Sequence, residues 1–380
     1  METSTKYGLY IHIPFCVSKC SYCNFASVPK NNGLIENYTQ ALCKEISMHR
    51  ASFADVIFDT VFIGGGTPSC IPKNNLSKII STVYDNFNTD IEEFTVEINP
   101  GTGDAEMFSM LKNMGVNRAS VGLQCADDDI LKSIGRIHDV DQFVDTVGKI
   151  KTAEIDNFSA DIISGLPGQN AKHLIKSIDL AESLGARHIS MYALKVENNT
   201  PLKTSVQKGL IVLPDSDLEF SMSEQASEHL ENLGFSKYEI SNYAKKGYES
   251  RHNLKYWKRV PYLGVGTAAA SMYGSTRYYN TGNIGQYIKS VTNNAFPLLK
   301  KEKLTKDDEA FEMIILGTRL AEGMEYAAYD AFAKTNFRDY YKDVLKKLEA
   351  DGLIQKSSTH LKLTPKGMNL QNSVLLDFMD

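Results

Sequence analysis

Residues 7–25 read YGLYIHIPFCVSKCSYCNF, and this stretch indicates the fold. Its first part, residues 7–14, is rich in aromatic and β-branched residues and predicts a β-strand. A C-x3-C-x2-C motif follows the strand at once and contains Cys16, Cys20 and Cys23. Three thiolates can hold three irons of a [4Fe–4S] cubane and leave the fourth iron open to another ligand. The sequence therefore predicts an iron–sulfur centre next to the end of a strand.

A zinc site is the competing interpretation of the motif. Structural zinc has four ligands, commonly as two separated pairs, and the chain has no second cysteine pair. His12 is a candidate fourth ligand, although its alternation with Tyr10 along the strand also suits a packing residue. Cys43, Cys70 and Cys125 stand singly, and we interpret them as ordinary buried thiols.

Strand candidates continue from the motif, and helical patterns separate them. The candidates are residues 7–14, 59–64, 93–99, 118–124, 158–164 and 188–196. Alternating strands and helices form parallel sheets with crossover helices, and six such units close only part of a barrel. We therefore predict an α/β fold, a partial (β/α)6 barrel whose functional residues lie at the carboxyl ends of the strands.

The alternation stops after residue 241, so the sequence predicts two domains, residues 1–241 and 242–380. In the second, residues 337–348 place apolar and aromatic side chains on one helix face. Gly352 is suited to end that helix in the left-handed conformation. Residues 353–367 then read as a hairpin. We expect a smaller α+β domain with a winged-helix-like end.

Composition excludes several classes of protein. A formal net charge of −5 gives no strong basic field for nucleic acid, and no apolar run reaches the length of about 18 residues that a membrane span needs. The N-terminal METSTKYGLYIHIPFC has no basic segment followed by an apolar one, so no signal peptide is expected. Clustered cysteines without an export signal indicate metal binding in the reducing cytoplasm.

The chain resembles the coproporphyrinogen III dehydrogenase group of radical S-adenosylmethionine (SAM) proteins. The motifs that carry the resemblance extend over almost the whole chain: YIHIPFCVSKCSYCNF, GGGTPS, EINPG, RASVGLQ, GRIHD, DIISGLPGQ and HNLKYW. The group includes the anaerobic oxidase of haem synthesis and the HemW-type haem chaperones. The resemblance implies a radical SAM core in residues 1–241 and a HemN-like domain in residues 242–380. In that core, SAM binds the open iron of the cluster.

The resemblance also implies which side chains meet SAM. The loop that contains Gly65, Gly66 and Thr67 is expected to receive the amino group of SAM, and Tyr10 is expected to contact the cofactor. The other residues expected to line the site are Glu97, Gln124, Arg136 and Asp161. A carboxylate such as Asp161 suits hydroxyl or ammonium groups, and a guanidinium such as Arg136 suits a carboxylate.

Two departures from the oxidase favour the HemW-type branch. The oxidase motif has a further cysteine where this chain has Phe25, and the oxidase has a longer segment before its first cysteine. The expected function is a haem chaperone that keeps a radical SAM core and passes haem to an acceptor haemoprotein, with respiratory membrane-bound proteins among the candidates. The alternative is an oxygen-independent coproporphyrinogen III oxidase.

Within HNLKYW, the resemblance links His252 to haem. A neutral imidazole is a good ligand for haem iron, and aromatic neighbours can cover a porphyrin face. The alternative is that this motif packs the second domain against the barrel. A DNA-binding role for the C-terminal end is disfavoured, because acidic residues offset its lysines and arginine.

Overall fold

A twelve-stranded sheet is the framework of the larger unit in a computed structural model that describes residues 6–355 and 357–379. Its strands are β1 (Lys6–Ile13), β4 (Ile57–Gly65), β5 (Asn88–Ile98), β6 (Arg118–Gln124), β7 (Asn157–Ser164), β8 (His188–Ala193), β9 (Ser236–Lys237), β10 (Asn242–Ala244), β11 (Tyr262–Val265), β12 (Ala270–Tyr273), β13 (Thr276–Asn280) and β14 (Leu298–Lys303). Two short strands, β2 (Phe15–Cys16) and β3 (Val28–Pro29), pair with each other beside it. A separate small sheet contains β15 (Met324–Glu325), β16 (Ile354–Gln355) and β17 (His360–Leu363).

The order of strands in the large sheet is β14-β13-β12-β11-β1-β4-β5-β6-β7-β8-β10-β9. From β11 to β8 all neighbouring strands are parallel. The six predicted strands correspond to β1 and to β4–β8, so the predicted α/β fold with its six strand–helix units is confirmed. The parallel pairing of β11 with β1 adds a seventh parallel strand from far along the chain.

Helices join the strands and cover the sheet. In the core they are α1 (Asn32–His49), α2 (Lys73–Asn86), α3 (Ala105–Asn113), α4 (Asp128–Ser133), α5 (Val140–Thr152), α6 (Ala171–Ser183), α7 (Pro201–Gln207), α8 (Ser216–Asn232), α9 (Arg251–Trp257) and α10 (Ile284–Thr292), with 3-10 turns at Arg50–Phe53 and Pro68–Cys70. Helix α1 buries Ile35, Tyr38, Leu42 and Ile46, whose spacing of three and four residues places them on one helix face. Each aliphatic side chain buried in this way stabilises the fold by about 1.5–3 kcal/mol.

The C-terminal unit has its own core. Its helices are α11 (Lys306–Gly317), α12 (Tyr326–Ala333), α13 (Phe337–Tyr340), α14 (Lys342–Ala350), α15 (Pro365–Asn369) and α16 (Gln371–Leu376). The predicted helix over 337–348 is divided at Tyr341 into α13 and α14, and Phe337 and Leu348 are fully buried. Gly352 follows α14 with φ +66°, and β16 and β17 form the predicted hairpin. Lys356 in that hairpin, and residues 1–5 of the N-terminal segment discussed above, lie outside the described residues.

The large sheet contains strands from both sides of the predicted domain boundary. It continues across residues 241 and 242, because β10 pairs with β8 and β11 pairs with β1. The main hydrophobic core extends to Val291, whereas the second core begins at Ala310. The two hydrophobic cores thus separate between Val291 and Ala310, and a domain boundary between residues 241 and 242 stays a prediction. Within the described parts of the chain, no helix is both long enough and apolar enough to cross a membrane.

Candidate functional site

A cavity of about 540 Å³ opens at the carboxyl ends of the parallel strands. It lies where parallel α/β barrels bind their ligands. Among the expected site residues, those that line it are Cys16, Cys20, Cys23, Gly65, Gly66, Thr67, Glu97, Gln124, Arg136 and Asp161. Tyr10 and His252 are the expected site residues that do not line it.

The three motif cysteines surround one side of the cavity. Cys16 ends β2 and is buried, and its sulfur lies 3.7 Å from the hydroxyl of Thr67. Cys20 and Cys23 follow in a loop that is partly exposed, and Arg136 Nη1 donates to the sulfur of Cys20 at 3.4 Å. All three thiols are free. Three free thiols on one cavity wall are the ligand type that holds iron–sulfur clusters, so the chemistry of this donor set fits a cluster.

The cysteine sulfurs are not gathered into a finished ligand set. Over residues 6–355 and 357–379, no group of three or more His, Cys, Asp or Glu side chains is close enough to hold a metal ion. The loop therefore places the three thiols around a common space without closing them on one point.

The other three cysteines do not line the cavity. Cys43 is on α1, Cys125 is fully buried, and Cys70 donates its thiol to the carbonyl of Phe15 at 3.4 Å. Burial raises the pKa of all three thiols. These environments are typical of unreactive thiols.

His12 has no free nitrogen for a metal. Its Nδ1 lies 3.0 Å from the hydroxyl of Tyr10, and its Nε2 lies 2.9 Å from the carbonyl oxygen of Ala26. The ring is 5% exposed, and burial lowers its pKa. Tyr10 in turn stacks on Phe62, which lines the cavity, so Tyr10 supports the wall from behind. This arrangement favours the packing interpretation of His12.

The glycine loop after β4 is held tightly against the end of β1. Gly66 donates its N–H to the carbonyl of Ile13 at 2.8 Å, and Thr67 donates to Phe15 at 2.7 Å. A Cβ on Gly65 would lie 2.4 Å from the His12 ring, and Gly65 has φ +112°. A Cβ on Gly66 would lie 2.6 Å from the carbonyl oxygen of Phe15. The two glycines are thus required by neighbouring protein atoms, and they bring the loop backbone up to the cysteine segment.

Two half-buried carboxyl groups face the cavity, and their partners differ. Glu97 accepts the N–H of Gly65 at 2.9 Å, and burial together with the nearby Asp161 raises its pKa to about 7. Asp161 accepts from the hydroxyl of Ser120 at 3.0 and 3.1 Å and from that of Ser159 at 3.4 Å. Burial raises the pKa of Asp161, whereas the serine hydroxyls and Arg118 oppose that rise.

Gln124 and Arg136 sit beside an irregularity in β6. The register with β7 shifts between Gly122 and Gln124, and Gln124 has φ +64°. Such bulges re-aim side chains next to functional sites. Arg136 Nη2 donates to the carbonyl of Gly122 at 2.8 Å, while its buried Nε has no hydrogen-bond partner. The guanidinium of Arg136 lines the cavity and is the type of group that binds a ligand carboxylate.

His252 lies directly behind the cavity wall: its ring stacks on Phe62, which lines the cavity, with 5.4 Å between the ring centroids. His252 belongs to α9. The N–H groups of Arg251 and His252, in the first turn of this helix, each donate to the carboxylate of Glu93 on β5 at 2.9 Å.

The His252 ring is 1% exposed, and its nitrogens lie 2.9 Å from the Thr60 hydroxyl and 2.8 Å from the Tyr256 hydroxyl. Burial lowers its pKa to about 3. The structure therefore favours the alternative in which this helix packs against the barrel.

Phe25 and three other residues extend the site beyond the expected set. Phe25 lines the cavity with its ring 65% exposed. Arg118, Ser120 and Tyr192 also line it. The sequence carried a signal for the first two, because Arg118, Ser120, Gly122 and Gln124 alternate along RASVGLQ and share one face of a strand. Only the last of these four was expected to meet a ligand.

Comparison with known proteins gives consistent matches. Residues 10–181 match the family model of the radical SAM superfamily, and residues 304–370 match that of the HemN C-terminal domain. Haem chaperone HemW of Bacillus subtilis is 36% identical over 97% of this chain and 98% of its own length. Haem chaperone HemW of Escherichia coli is 31% identical over 98% of both chains.

A solved structure supports the fold. Coproporphyrinogen III oxidase (HemN) of Escherichia coli, described as a radical SAM enzyme, superposes with a TM-score of 0.86. The match covers 99% of this chain and 90% of that one at 22% identity. At this identity the likeness concerns the fold, and it confirms a HemN-like radical SAM fold with a C-terminal domain. The superfamily match implies a [4Fe–4S] cluster and SAM.

Proposed function

Because this chain belongs to the HemW-type haem chaperone family of the radical SAM superfamily, we propose that it binds haem and transfers it to acceptor haemoproteins. The observation that carries the proposal is the similarity to haem chaperones along nearly the full length of both chains, at 31–36% identity. The similarity includes the C-terminal unit, so it is not a likeness of the radical SAM core alone.

The cavity residues supply a site for both cofactors. In our proposal Cys16, Cys20 and Cys23 hold a [4Fe–4S] cluster, and SAM occupies the adjoining space. The cluster with SAM supplies one-electron chemistry when both are bound. The chain's own residues bind and orient: the loop with Gly65, Gly66 and Thr67 shapes the wall, and a carboxylate of SAM suits the guanidinium of Arg136.

Three further side chains complete the cofactor site in this proposal. Glu97 and Asp161 offer acceptors for the ammonium and hydroxyl groups of SAM, and Gln124 faces the same space from the bulged end of β6. Tyr10 acts through Phe62, on which its ring stacks. The cavity thus combines carboxylates with a guanidinium, as a ligand with both positive and negative groups requires.

The oxidase function is the second candidate, and Phe25 argues against it. The oxidase-type motif has a further cysteine at this place, whereas Phe25 presents an apolar ring that is 65% exposed at the cavity. A phenyl ring takes part in no proton or thiol chemistry. The fold alone does not favour the oxidase, because one fold hosts different activities.

The proposal that this protein binds haem does not depend on His252 as the haem ligand. Haem ligation by His252 remains a prediction, and it would require the ring to give up its contacts with Thr60 and Tyr256. We propose instead that His252 ties α9 to the barrel. The acceptor is proposed to be a haemoprotein, with membrane-bound respiratory proteins among the candidates, and the cytoplasm is the proposed location. No nucleic acid partner is proposed.

Two assays on the same anaerobically reconstituted preparation test the function. In the first, haem is titrated into the protein and the Soret band is followed. In the second, coproporphyrinogen III is supplied with SAM and a reductant, and protoporphyrinogen IX is measured. The proposal predicts haem binding at about one per chain and no decarboxylation. Rapid decarboxylation with little haem binding would replace the chaperone by the oxidase.

A further inference from the structure

A row of hydrogen bonds leads from the cavity into the interior of the larger unit. Asp161 lines the cavity, and Ser159 donates its hydroxyl to that carboxyl group at 3.4 Å. The hydroxyl of Ser159 lies 2.7 Å from Nδ1 of His188, and Nε2 of the same ring lies 2.8 Å from the hydroxyl of Tyr238. The backbone N–H of Ser250 donates to the Tyr238 hydroxyl at 3.2 Å. Consecutive contacts therefore join Asp161 to the residue that precedes α9.

The inner part of this chain is buried between β7 and β8. Ser159 is the register partner of His188, and Asp161 is the register partner of Ser190. The side chains of Ser159 and His188 are fully buried, so water does not compete for their hydrogen bonds. The hydroxyl of Ser190 lies 3.4 Å from that of Ser159. Burial, and secondarily the charge of Arg118, lower the pKa of His188 well below its ordinary value, so the ring is neutral.

The direction of the chain follows from the number of protons that each group carries. A hydroxyl has one proton, and Ser159 uses it on Asp161, so Nδ1 of His188 must donate to Ser159. A neutral imidazole has one N–H, and Nε2 therefore accepts the proton of the Tyr238 hydroxyl. That hydroxyl in turn accepts the N–H of Ser250. Every donor in the chain thus points from α9 toward Asp161.

The reverse direction would waste two protons. If Ser159 donated to His188 instead, Asp161 would lose one of its donors. His188 would then donate from Nε2 to Tyr238. Over the described residues, the Tyr238 hydroxyl makes hydrogen bonds only with His188 and with the N–H of Ser250, so its own proton would have no acceptor. An unsatisfied buried donor is unfavourable, which selects the direction toward Asp161.

We propose that His188 and Tyr238 are positioning residues that act on Asp161 through this head-to-tail chain of hydrogen bonds. This inference rests on the proposed function, because Asp161 belongs to the proposed SAM site. The chain keeps the hydroxyl of Ser159 directed at the carboxylate, so the orientation of the carboxylate in the cavity is fixed. Hydrogen bonds in a chain polarise one another, so the loss of an outer member weakens the inner ones.

The far end of the chain lies where the larger unit meets the C-terminal unit. Tyr238 follows β9, and its carbonyl accepts the N–H of Ala321, from the segment after α11, at 3.0 Å. Ser250 is the N-cap of α9: its hydroxyl accepts the N–H of Asn253 at 3.3 Å and donates to the carboxylate of Glu93 at 3.3 Å. The chain thereby connects the proposed SAM site with α9 and with the C-terminal unit.

Nitrogen NMR of the cluster-loaded protein with isotope-labelled histidine tests the direction without SAM. At neutral pH we expect a proton on Nδ1 of His188 and none on Nε2. Ser159→Ala removes the acceptor of that proton, so the proton should move to Nε2, where the Tyr238 hydroxyl can accept it. Tyr238→Phe should leave it on Nδ1. The signal of His188 is the one that both variants shift, because this ring contacts both hydroxyls.

A double-variant cycle of SAM affinity tests the positioning role. Equilibrium binding is measured in wild type, Ser159→Ala, Tyr238→Phe and the double variant. Ser159→Ala should weaken binding about fivefold, because Asp161 loses one donor. Tyr238→Phe should weaken it roughly twofold, because the remaining bonds of the chain are less polarised. In the Ser159→Ala background, Tyr238→Phe should have no further effect, because the chain is already interrupted.

Tyr243→Phe is the matched control. Tyr243 lies on β10, and its hydroxyl contacts Ser227 at 3.2 Å, outside the chain, so this variant should bind SAM as wild type does. A proton on Nε2 of His188 in wild type would overturn the proposal. Equal weakening by Tyr238→Phe with and without Ser159 would also overturn it, since that is the behaviour of a merely structural residue. If wild type bound no SAM, the proposed cofactor site would be wrong, and the position of the His188 proton would still decide whether the chain points toward Asp161.

Discussion

Replacement of Gly66 by alanine places a methyl group where the loop after β4 meets the end of β1. The new Cβ would lie 2.6 Å from the carbonyl oxygen of Phe15, and 2.9 Å from both the carbonyl oxygen of Ile13 and the amide nitrogen of Phe15. All three are backbone atoms, so no side chain can swing away. Gly66 is not among the residues with positive φ, so the expected effect is steric and not torsional.

The loss of stability in Gly66→Ala has two sources, the steric overlap and the weakened hydrogen bonds of the loop. The methyl group would stand about 0.8 Å inside ordinary van der Waals contact with Phe15, an overpacking that typically costs about 1–3 kcal/mol. Relief requires the loop to move away from Ile13 and Phe15, which weakens the 2.8 Å and 2.7 Å hydrogen bonds that join them. Two lost hydrogen bonds add about 1 kcal/mol each. The free energy of unfolding should fall by about 3–5 kcal/mol.

Thermal melting and SAM binding measure this effect. At about 1.3 °C per kcal/mol for a chain of 380 residues, the melting temperature should fall by roughly 4–6 °C. The displaced segment leads directly to Cys16, so iron content and SAM affinity should fall as well. Gly148→Ala is the matched control: it lies inside α5, no atom stands within 4 Å of the added Cβ, and it should stabilise by about 0.5–1 kcal/mol.

The outcome that refutes this reasoning is specific. If Gly66→Ala melted within a degree of wild type and bound SAM equally well, the close packing of the loop against β1 would be wrong. A comparable loss in Gly148→Ala would show that any added methyl group disturbs the protein, and the argument from contact distances would then fail.

Three further outcomes are expected. Anaerobic reconstitution should load about four irons per chain. Replacing any one of the three motif cysteines by alanine should abolish this loading, whereas replacing any one of the three isolated cysteines should leave it unchanged. The variants are Cys16→Ala, Cys20→Ala and Cys23→Ala against Cys43→Ala, Cys70→Ala and Cys125→Ala. SAM should perturb the electron paramagnetic resonance spectrum of the reduced cluster, because its amino and carboxylate groups reach the open iron, and an unchanged spectrum at saturation would contradict this. His252→Ala should destabilise the fold by about 2–4 kcal/mol, by a cavity and unpaired hydroxyls, yet leave the Soret band of the haem-loaded protein unaltered; a shifted band would restore His252 as a ligand.

The parallel core was predictable because its signals are local. Each of the six strands is a short apolar run, and each crossover helix carries an apolar stripe of period 3.6. In α/β barrels the functional residues lie at the carboxyl ends of the strands, so the predicted strands also indicate where the site is. For this reason most of the expected SAM residues line one cavity.

The features that could not be predicted from the sequence depend on contacts between distant parts of the chain. The pairing of β11 with β1 joins residues that are about 250 positions apart, and a strand of four residues carries little periodic signal. The same return of the chain places α9 against β4 and β5. The motif around His252 was visible in the sequence, but its burial against Thr60 was not.

Arg118 was predictable in part from the sequence. Its alternation with Gln124 along β6 was readable, whereas its burial depends on how β5, β7 and β8 close around it. An arginine at the start of a strand would ordinarily be read as exposed. Only the packed structure reveals a buried guanidinium in the cavity wall.

Transfer of haem to an acceptor tests the central claim most directly. The haem-loaded protein is mixed with an excess of an apo-haemoprotein, and the two are separated after incubation to assign the haem by its Soret spectrum. The account predicts that haem moves to the acceptor faster than the same amount of free haem does. If haem stayed on this protein, or if transfer matched free haem while coproporphyrinogen III was decarboxylated, the chaperone assignment would be contradicted.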